Sequence, residues 1–296
     1  MYDSIAANKR KSWLLVVLFL AIIIALGYLW GAYSGDTFGA LTFAGIVAIV
    51  MALTSYYGGD KIALSLAGAR QIPSRDQNPY VWNLVENLCI AKGLPMPKVY
   101  LIPEPAINAF ATGRDPKHAS IALTEGAVAK LENEELEGVI AHELSHVANY
   151  DIRLATLVIV LLGTLAILSD IFLRSTHFIG GRRADSRGGN PAAVLMLIGL
   201  VLALLAPIMG KLIQLAISRR REFLADASGA LLTRYPEGLA RALEKIQQDG
   251  TPLSRVSEAT AHLYLTSPFG NKPSFLGRLF LTHPPIAERV AALRKT

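Results

Sequence analysis

The chain has 296 residues, of which 52% are hydrophobic and 18% charged, with a mean hydropathy of +0.38. Soluble domains carry about 25% charged residues, so the composition excludes a disordered or highly solvated chain and argues against a plain cytosolic enzyme. The net charge of +6 would suit nucleic acid, but the basic residues flank apolar runs, at Lys9, Arg10, Lys11 and at Arg219, Arg220, Arg221. They read as membrane flanks beside a lipid bilayer, with no nucleic acid partner.

Residues 13–33 form an uncharged apolar run with Trp30 and Tyr33 near its far end. About 20 such residues span a bilayer as a helix, and the run is too long for a signal-peptide core. A second run, 37–57, follows after Ser34, Gly35 and Asp36, so the two form a tight helical hairpin. The positive-inside rule places Lys9–Lys11 in the cytoplasm, and the second helix returns the chain there.

Residues 58–153 read as a polar domain. Val81, Leu84 and Leu88 are spaced for a helix over 79–92 that stops at Gly93 and Pro95. Segments 98–102, 106–112 and 119–124 read as short strands split by Pro and Gly. In the middle one, Ile107, Ala109 and Ala111 face one way and Asn108, Phe110 and Thr112 the other. A helix is expected over about 133–150, with acidic residues at its positive end. Cys89, the single cysteine, sits in an amphipathic stretch and reads as a buried apolar residue.

Two more apolar runs follow. Residues 154–169 are short for a span and meet Asp170, whereas 192–210 are long enough. The loop between them holds Arg174, Arg182, Arg183 and Arg187, which full crossings would leave outside, against the charge rule. Either the first hairpin dominates topology or these two helices enter the membrane only in part. In both cases a hairpin returns the chain to the side it left, so 150 and 218 end near each other. The expected architecture is a mainly α membrane protein with four apolar helices and a zincin-like α+β catalytic domain containing a small β-sheet. Its parts are an N-terminal segment (1–12), a transmembrane hairpin (13–57), a first catalytic part (58–153), a second apolar pair (154–217) and a second catalytic part (218–296).

His142-Glu143-Leu144-Ser145-His146 is an H-E-x-x-H motif within a predicted helix. Residues i and i+4 share a helix face, so both imidazoles reach one ion, and Glu143 points beside them where it can take a proton from a bound water. Two of only six histidines fall at this spacing. His118, His177 and His262 have no such partner and read as surface residues. Catalytic zinc keeps three protein ligands and an open position. Residues 148–153 contain no third histidine, so the downstream candidate is Glu222, brought back by the second hairpin. Asp226, one turn beyond, can hold the N–H of a ligand histidine.

These residues resemble the M48 peptidase family, and within it the HtpX-type membrane-bound branch. The likeness rests on His142 to His146 with Asn149 and Asp151 after it, on 218–226, on 108–113, and on Thr282-His283-Pro284-Pro285 with Glu288 and Arg289. The start, Ala6 to Lys11, also resembles bacterial members. The resemblance implies a catalytic domain facing the cytoplasm of a bacterial cell membrane. It implies one Zn2+ per chain held by His142, His146 and Glu222, with Glu143 as general base and Asp226 and Asn149 supporting the ligands. Misfolded or damaged membrane proteins are the implied substrates, cleaved in quality control. A further donor is needed for the oxyanion. The sequence offers His283 or Arg289, with His283 preferred over its bland role at a helix N-terminus. Asn108, Ala109, Phe110 and Ala111 are expected to bind substrate as an exposed sheet edge, the alternative being an interior strand.

Three other classes fit the sequence less well. An intramembrane metalloprotease would carry the motif in an apolar span, whereas here Glu134, Glu135 and Glu137 precede it. A catalytically silent zinc-binding scaffold or chaperone has no need of Glu143. A transporter would carry more ionisable groups within its spans.

Overall fold

The computed structural model describes residues 2–179, 197–202, 219–254, 263–266 and 284–295. Helices α1 (Tyr2–Ser34) and α2 (Thr37–Leu66) form the expected hairpin. Gly35 turns the chain at φ +81°, and the Asp36 carboxylate accepts the Gly39 N–H at 2.9 Å to cap α2. A methyl group at Gly27 would lie 2.4 Å from the Ala44 Cβ, so only glycine lets the two backbones approach this closely.

Among the described residues, three helices are long and apolar enough to cross a membrane: Ile5–Ser34, Thr37–Leu66 and Asp151–Phe172. Large apolar side chains stand exposed on the first two, including Phe38 at 84% and Phe43 at 70%. Water would penalise that surface, whereas lipid does not. The third helix, α6 (Asp151–Ile179), corrects the expectation that the run at 154–169 is short for a span. Asp170 pairs with Arg174 one turn on, at 2.7 Å, and the helix runs through both. The fourth run lies largely outside the described residues. Its described part, 197–202, is helical and packs Ile198 and Leu202 into the core shared by α1, α2 and α6, and the Ser169 hydroxyl donates to the Gly199 carbonyl at 3.0 Å.

Four strands form one mixed sheet in the order β1-β2-β4-β3: β1 (Arg70–Ile72), β2 (Lys98–Ile102), β3 (Ala109–Gly113) and β4 (Ala119–Thr124). The β2–β4 pair is parallel and the others antiparallel. The middle strand thus starts later than the expected residue 106, because Ala106 and Ile107 lie outside the ladder that begins at Ala109↔Leu123. Ala109, Ala111, Ile121 and Leu123 face a core built with Val139, Ile140 and Leu144. Phe110 and Ala122 face a second core that contains Ala63 and Leu64 of α2 and Ile159 of α6. Both faces are therefore buried, and the sheet packs directly on the ends of two apolar helices.

Helix α3 (Pro79–Lys92) is capped by Asn78 and ends at Gly93, which adopts φ +70°. The short α4 (Glu125–Lys130) leads into α5 (Asn133–Ala148), the motif helix. After α6 the described chain resumes with α7 (Arg219–Thr233), α8 (Pro236–Asp249) and α9 (Ile286–Leu293). Helix α8 crosses α5 closely at Gly138, where an added Cβ would lie 2.7 Å from the Leu239 backbone nitrogen.

Candidate metal centre and active site

Helix α5 starts where the Glu132 N–H donates to the Glu135 carboxylate at 2.8 Å, with Glu134 also in the first turn. It ends at Ala148, two residues before the expected end. Asn149 closes it through its N–H on the Ser145 carbonyl at 3.1 Å, and Tyr150 turns the chain at φ +59°. This sharp turn sets Asp151 at the head of α6, directly beside the motif.

His142 and His146 face the same way, with their Nε2 atoms 3.1 Å apart. Glu222 of α7 meets both: its carboxylate oxygens lie 3.9 Å from His142 Nε2 and 3.6 Å from His146 Nε2. The approach of α7 depends on Gly229, where a Cβ would sit 3.0 Å from the His142 backbone nitrogen. Glu222 and His142 are each 1% exposed, and Glu143 is 2% exposed.

Each histidine is held from behind by a carboxylate. Asp226 Oδ1 lies 2.9 Å from His142 Nδ1, and Asp151 Oδ2 lies 2.9 Å from His146 Nδ1. With protons on Nδ1, the Nε2 lone pairs converge with the Glu222 carboxylate, and that cluster holds only acceptors. Such a cluster calls for a cation. A tetrahedral ion with bonds of about 2.0–2.2 Å places its ligand atoms about 3.3–3.6 Å apart, a spacing that the three separations of 3.1, 3.6 and 3.9 Å bracket. Among the described residues this is the only group of three metal-ligating side chains at such spacing. The proton affinity of the site points the same way. Burial would lower the pKa of His146, but the hydrogen bond to Asp151 and the charges of Glu222, Asp151 and Glu143 outweigh it and raise it to about 9. The same negative charge would favour a metal cation, which binds His146 only by displacing that proton.

Arg289 of α9 completes the centre. It is fully buried, with Nε 2.8 Å and Nη2 2.6 Å from the two Asp226 oxygens, and Nη1 donates to the Leu265 carbonyl at 3.2 Å. Burial alone would raise the Asp226 carboxyl, but Arg289 brings it down to about 2. Arg289 was one of two oxyanion candidates from sequence. In the fold its donors are committed to Asp226 and Leu265, so it acts as a brace for the His142 partner. The other candidate, His283, lies outside the described residues, as does His262, and His118 is a surface residue paired with Asp115 at 2.8 Å.

Asn149 was expected to support a ligand. Its carbonyl accepts from Asn8 at 2.9 Å, while its Oδ1 is buried without a hydrogen bond. The group at His146 is Asp151, five residues on and reached only because the chain reverses at Tyr150. Asp151, Arg221 and Asn8 were all missed as parts of the site. The one local signal was a carboxylate soon after the second histidine.

The proposed substrate strand is the sheet edge β3. Thr124 N–H donates to the Asn108 carbonyl, so the ladder bonds fall on 108, 110 and 112, and the main-chain groups of Ala109, Ala111 and Gly113 point away from β4. Leu265 N–H covers the Ala109 carbonyl at 2.9 Å and the Thr156 hydroxyl takes the Gly113 N–H at 3.1 Å. The Asn108 side chain faces inward, donating to the Thr266 carbonyl at 3.3 Å. Phe110 is buried edge-to-face against Tyr264, with ring centroids 5.2 Å apart. Between the two covered ends, Ala111 is 5% exposed, and among the described residues its outward main-chain groups have no hydrogen-bond partner.

Comparison with known proteins places this geometry. The profile of peptidase family M48 matches residues 75–296. The chain is 45% identical to a protein named Protease HtpX homolog from Caldanaerobacter subterraneus, covering 99% of this chain and 97% of that one. It is also 45% identical to a protein of the same name from Tropheryma whipplei, covering 100% and 98%. The crystal structure of Ste24p from S. mikatae shares the fold, with a TM-score of 0.52 at 20% identity, over 99% of this chain and 67% of that one. An apolar helical hairpin, a cluster of two histidines and one glutamate, and a family match over three quarters of the length lead to one conclusion: the chain belongs to the M48 family of peptidases and is a membrane protease.

Proposed function

We propose that the protein is a zinc metalloendopeptidase of the cell membrane that cleaves misfolded or damaged membrane proteins at a cytoplasmic active site. The observation that carries this reading is the convergence of His142, His146 and Glu222, at 3.1, 3.6 and 3.9 Å, beside the buried carboxylate of Glu143. Zinc, which His142, His146 and Glu222 would hold, would supply Lewis acidity to the scissile carbonyl and to water. Glu143 takes the proton of the attacking water and returns it to the leaving amine. Asp226 and Asp151 keep His142 and His146 in the tautomer that turns Nε2 to the centre.

Metal analysis tests the ligand set. Purified wild type should carry one zinc per chain, and Glu222→Ala should lose most of it, because two imidazoles alone bind zinc weakly. Full retention in the variant would remove Glu222 from the set.

The cytoplasmic orientation rests on Lys9, Arg10 and Lys11 ahead of the first span. Gln248 is exposed on α8, and the only native cysteine, Cys89, is buried. A Gln248→Cys variant should resist membrane-impermeant thiol reagents in intact cells and react after lysis. Ready labelling of intact cells would invert the orientation.

Substrate is proposed to pair with β3 at Ala111. Main-chain pairing asks little of side chains, which suits a protease acting on unrelated unfolded stretches. Because the Ala111 N–H points away from β4, proline there removes no bond of the sheet. Ala111→Pro should raise KM at least several-fold with zinc content unchanged. Normal cleavage by this variant would move substrate binding elsewhere.

A further inference from the structure

Asn8 lies on α1 ahead of its apolar stretch, among Lys9, Arg10 and Lys11, yet it is only 2% exposed. Its amide is fully engaged, and its partners gather around Asp151, the carboxylate behind His146. Nδ2 donates to the Asn149 carbonyl at 2.9 Å and to Asp151 Oδ1 at 2.7 Å. Oδ1 accepts from Arg221 Nη1 at 2.8 Å, and the same Nη1 reaches Asp151 Oδ1 at 2.7 Å. Asp151 is thereby pinned through one oxygen, which leaves the other aimed at His146 Nδ1.

A helix that only anchors a chain in lipid needs apolar residues and flanking cations. Burying an amide at its end costs free energy unless each polar atom is met. Here all are met, by residues 141 to 213 positions away. We propose that Asn8 is a positioning residue of the metal centre: the first membrane helix, once seated, fixes Asp151 through Asn8 and so orients the ligand His146. The proposal rests on the zinc reading above. It makes zinc affinity depend on how the amino-terminal helix is docked, and it ties the active site to the membrane through a side chain that touches neither metal nor substrate.

The test uses the full-length protein in detergent, stripped of metal and titrated with zinc against a chromogenic chelator. Asn8→Asp keeps the shape but sets an oxygen where a donor faced Asp151 Oδ1, so the two carboxylates repel. Asn8→Ala removes the amide without adding charge and carries the comparison if the aspartate variant does not fold. Leu15→Ala is the control: Leu15 is 8% exposed in the core between the apolar helices, so its loss loosens α1 without touching these bonds.

Loss of a partner behind a metal ligand typically weakens metal binding about 10–100-fold. The Asn8 variants should show a zinc Kd raised by about that factor. Most of kcat should return at saturating zinc, with KM unchanged. Leu15→Ala should lower the denaturation midpoint of the metal-free protein while zinc Kd stays near wild type. A folded Asn8→Ala protein with wild-type zinc affinity would overturn the proposal. So would equal weakening by Leu15→Ala, since any loosening of α1 would then suffice. His146→Ala, run alongside, separates the two hypotheses: if it binds zinc like wild type, the zinc reading itself has failed, whatever Asn8 does.

Discussion

Replacing Glu143 with glutamine is expected to stop peptide hydrolysis while leaving zinc and fold in place. Glutamine has the same shape and cannot accept a proton at working pH. Glu143 lies on α5 between His142 and His146, 2% exposed, so the substitution alters no contact with solvent. General-base catalysis typically contributes about 10²–10⁴-fold, and kcat should fall by that order with KM little changed. The measurement is turnover of an unstructured protein substrate beside metal content for each variant. Undiminished turnover would show that another group moves the proton. Loss of zinc instead would show that Glu143 is a ligand. Retained function in the cell without turnover would favour a zinc-binding scaffold.

The second large effect falls on stability. Arg289→Ala should destabilise the protein by about 3–5 kcal/mol, the usual cost of removing one partner from a buried ion pair. Arg289 is fully buried, and two of its nitrogens meet both Asp226 oxygens at 2.6 and 2.8 Å. Without it the Asp226 charge is stranded, and burial pushes that carboxyl upward from about 2. A protonated Asp226 no longer orients His142, so zinc binding weakens as well. Lysine does not rescue this site, because its single ammonium cannot match a carboxylate through two parallel bonds. The double variant Asp226→Leu/Arg289→Met separates the two consequences. It should regain much of the lost stability, since no charge is left unpaired, yet still bind zinc weakly, since His142 has lost its partner. Denaturation midpoints and zinc Kd for the three variants check both. A single variant as stable as wild type would mean that water reaches Asp226 and solvates it.

What the sequence determined by itself was local. The H-E-x-x-H spacing places both imidazoles on one face of any helix, because 3.6 residues per turn is a property of the backbone and not of the fold. The hairpin of residues 13–57 was legible for a similar reason: an uncharged run of span length is apolar whatever surrounds it. Even Glu222 and Asp226 were within reach, since a hairpin must return the chain to the side it left. The tertiary structure decided what lies behind those residues. Asp151 faces His146 only because Tyr150 adopts a positive φ and reverses the chain. Arg289 braces Asp226 across 63 residues, and Asn8 meets Arg221 across 213. Strand β3 is the edge of the sheet, as substrate pairing would require, yet it is buried on both faces, because α2 and α6 pack on one side while α5 packs on the other. Beyond the carboxylate soon after the second histidine, no pattern along the chain encodes these contacts. A buried amide, guanidinium or carboxylate tolerates burial only when partners arrive from distant segments, and which segments arrive is set by how the helices pack, through close approaches such as Gly229 against His142 and Gly138 against Leu239.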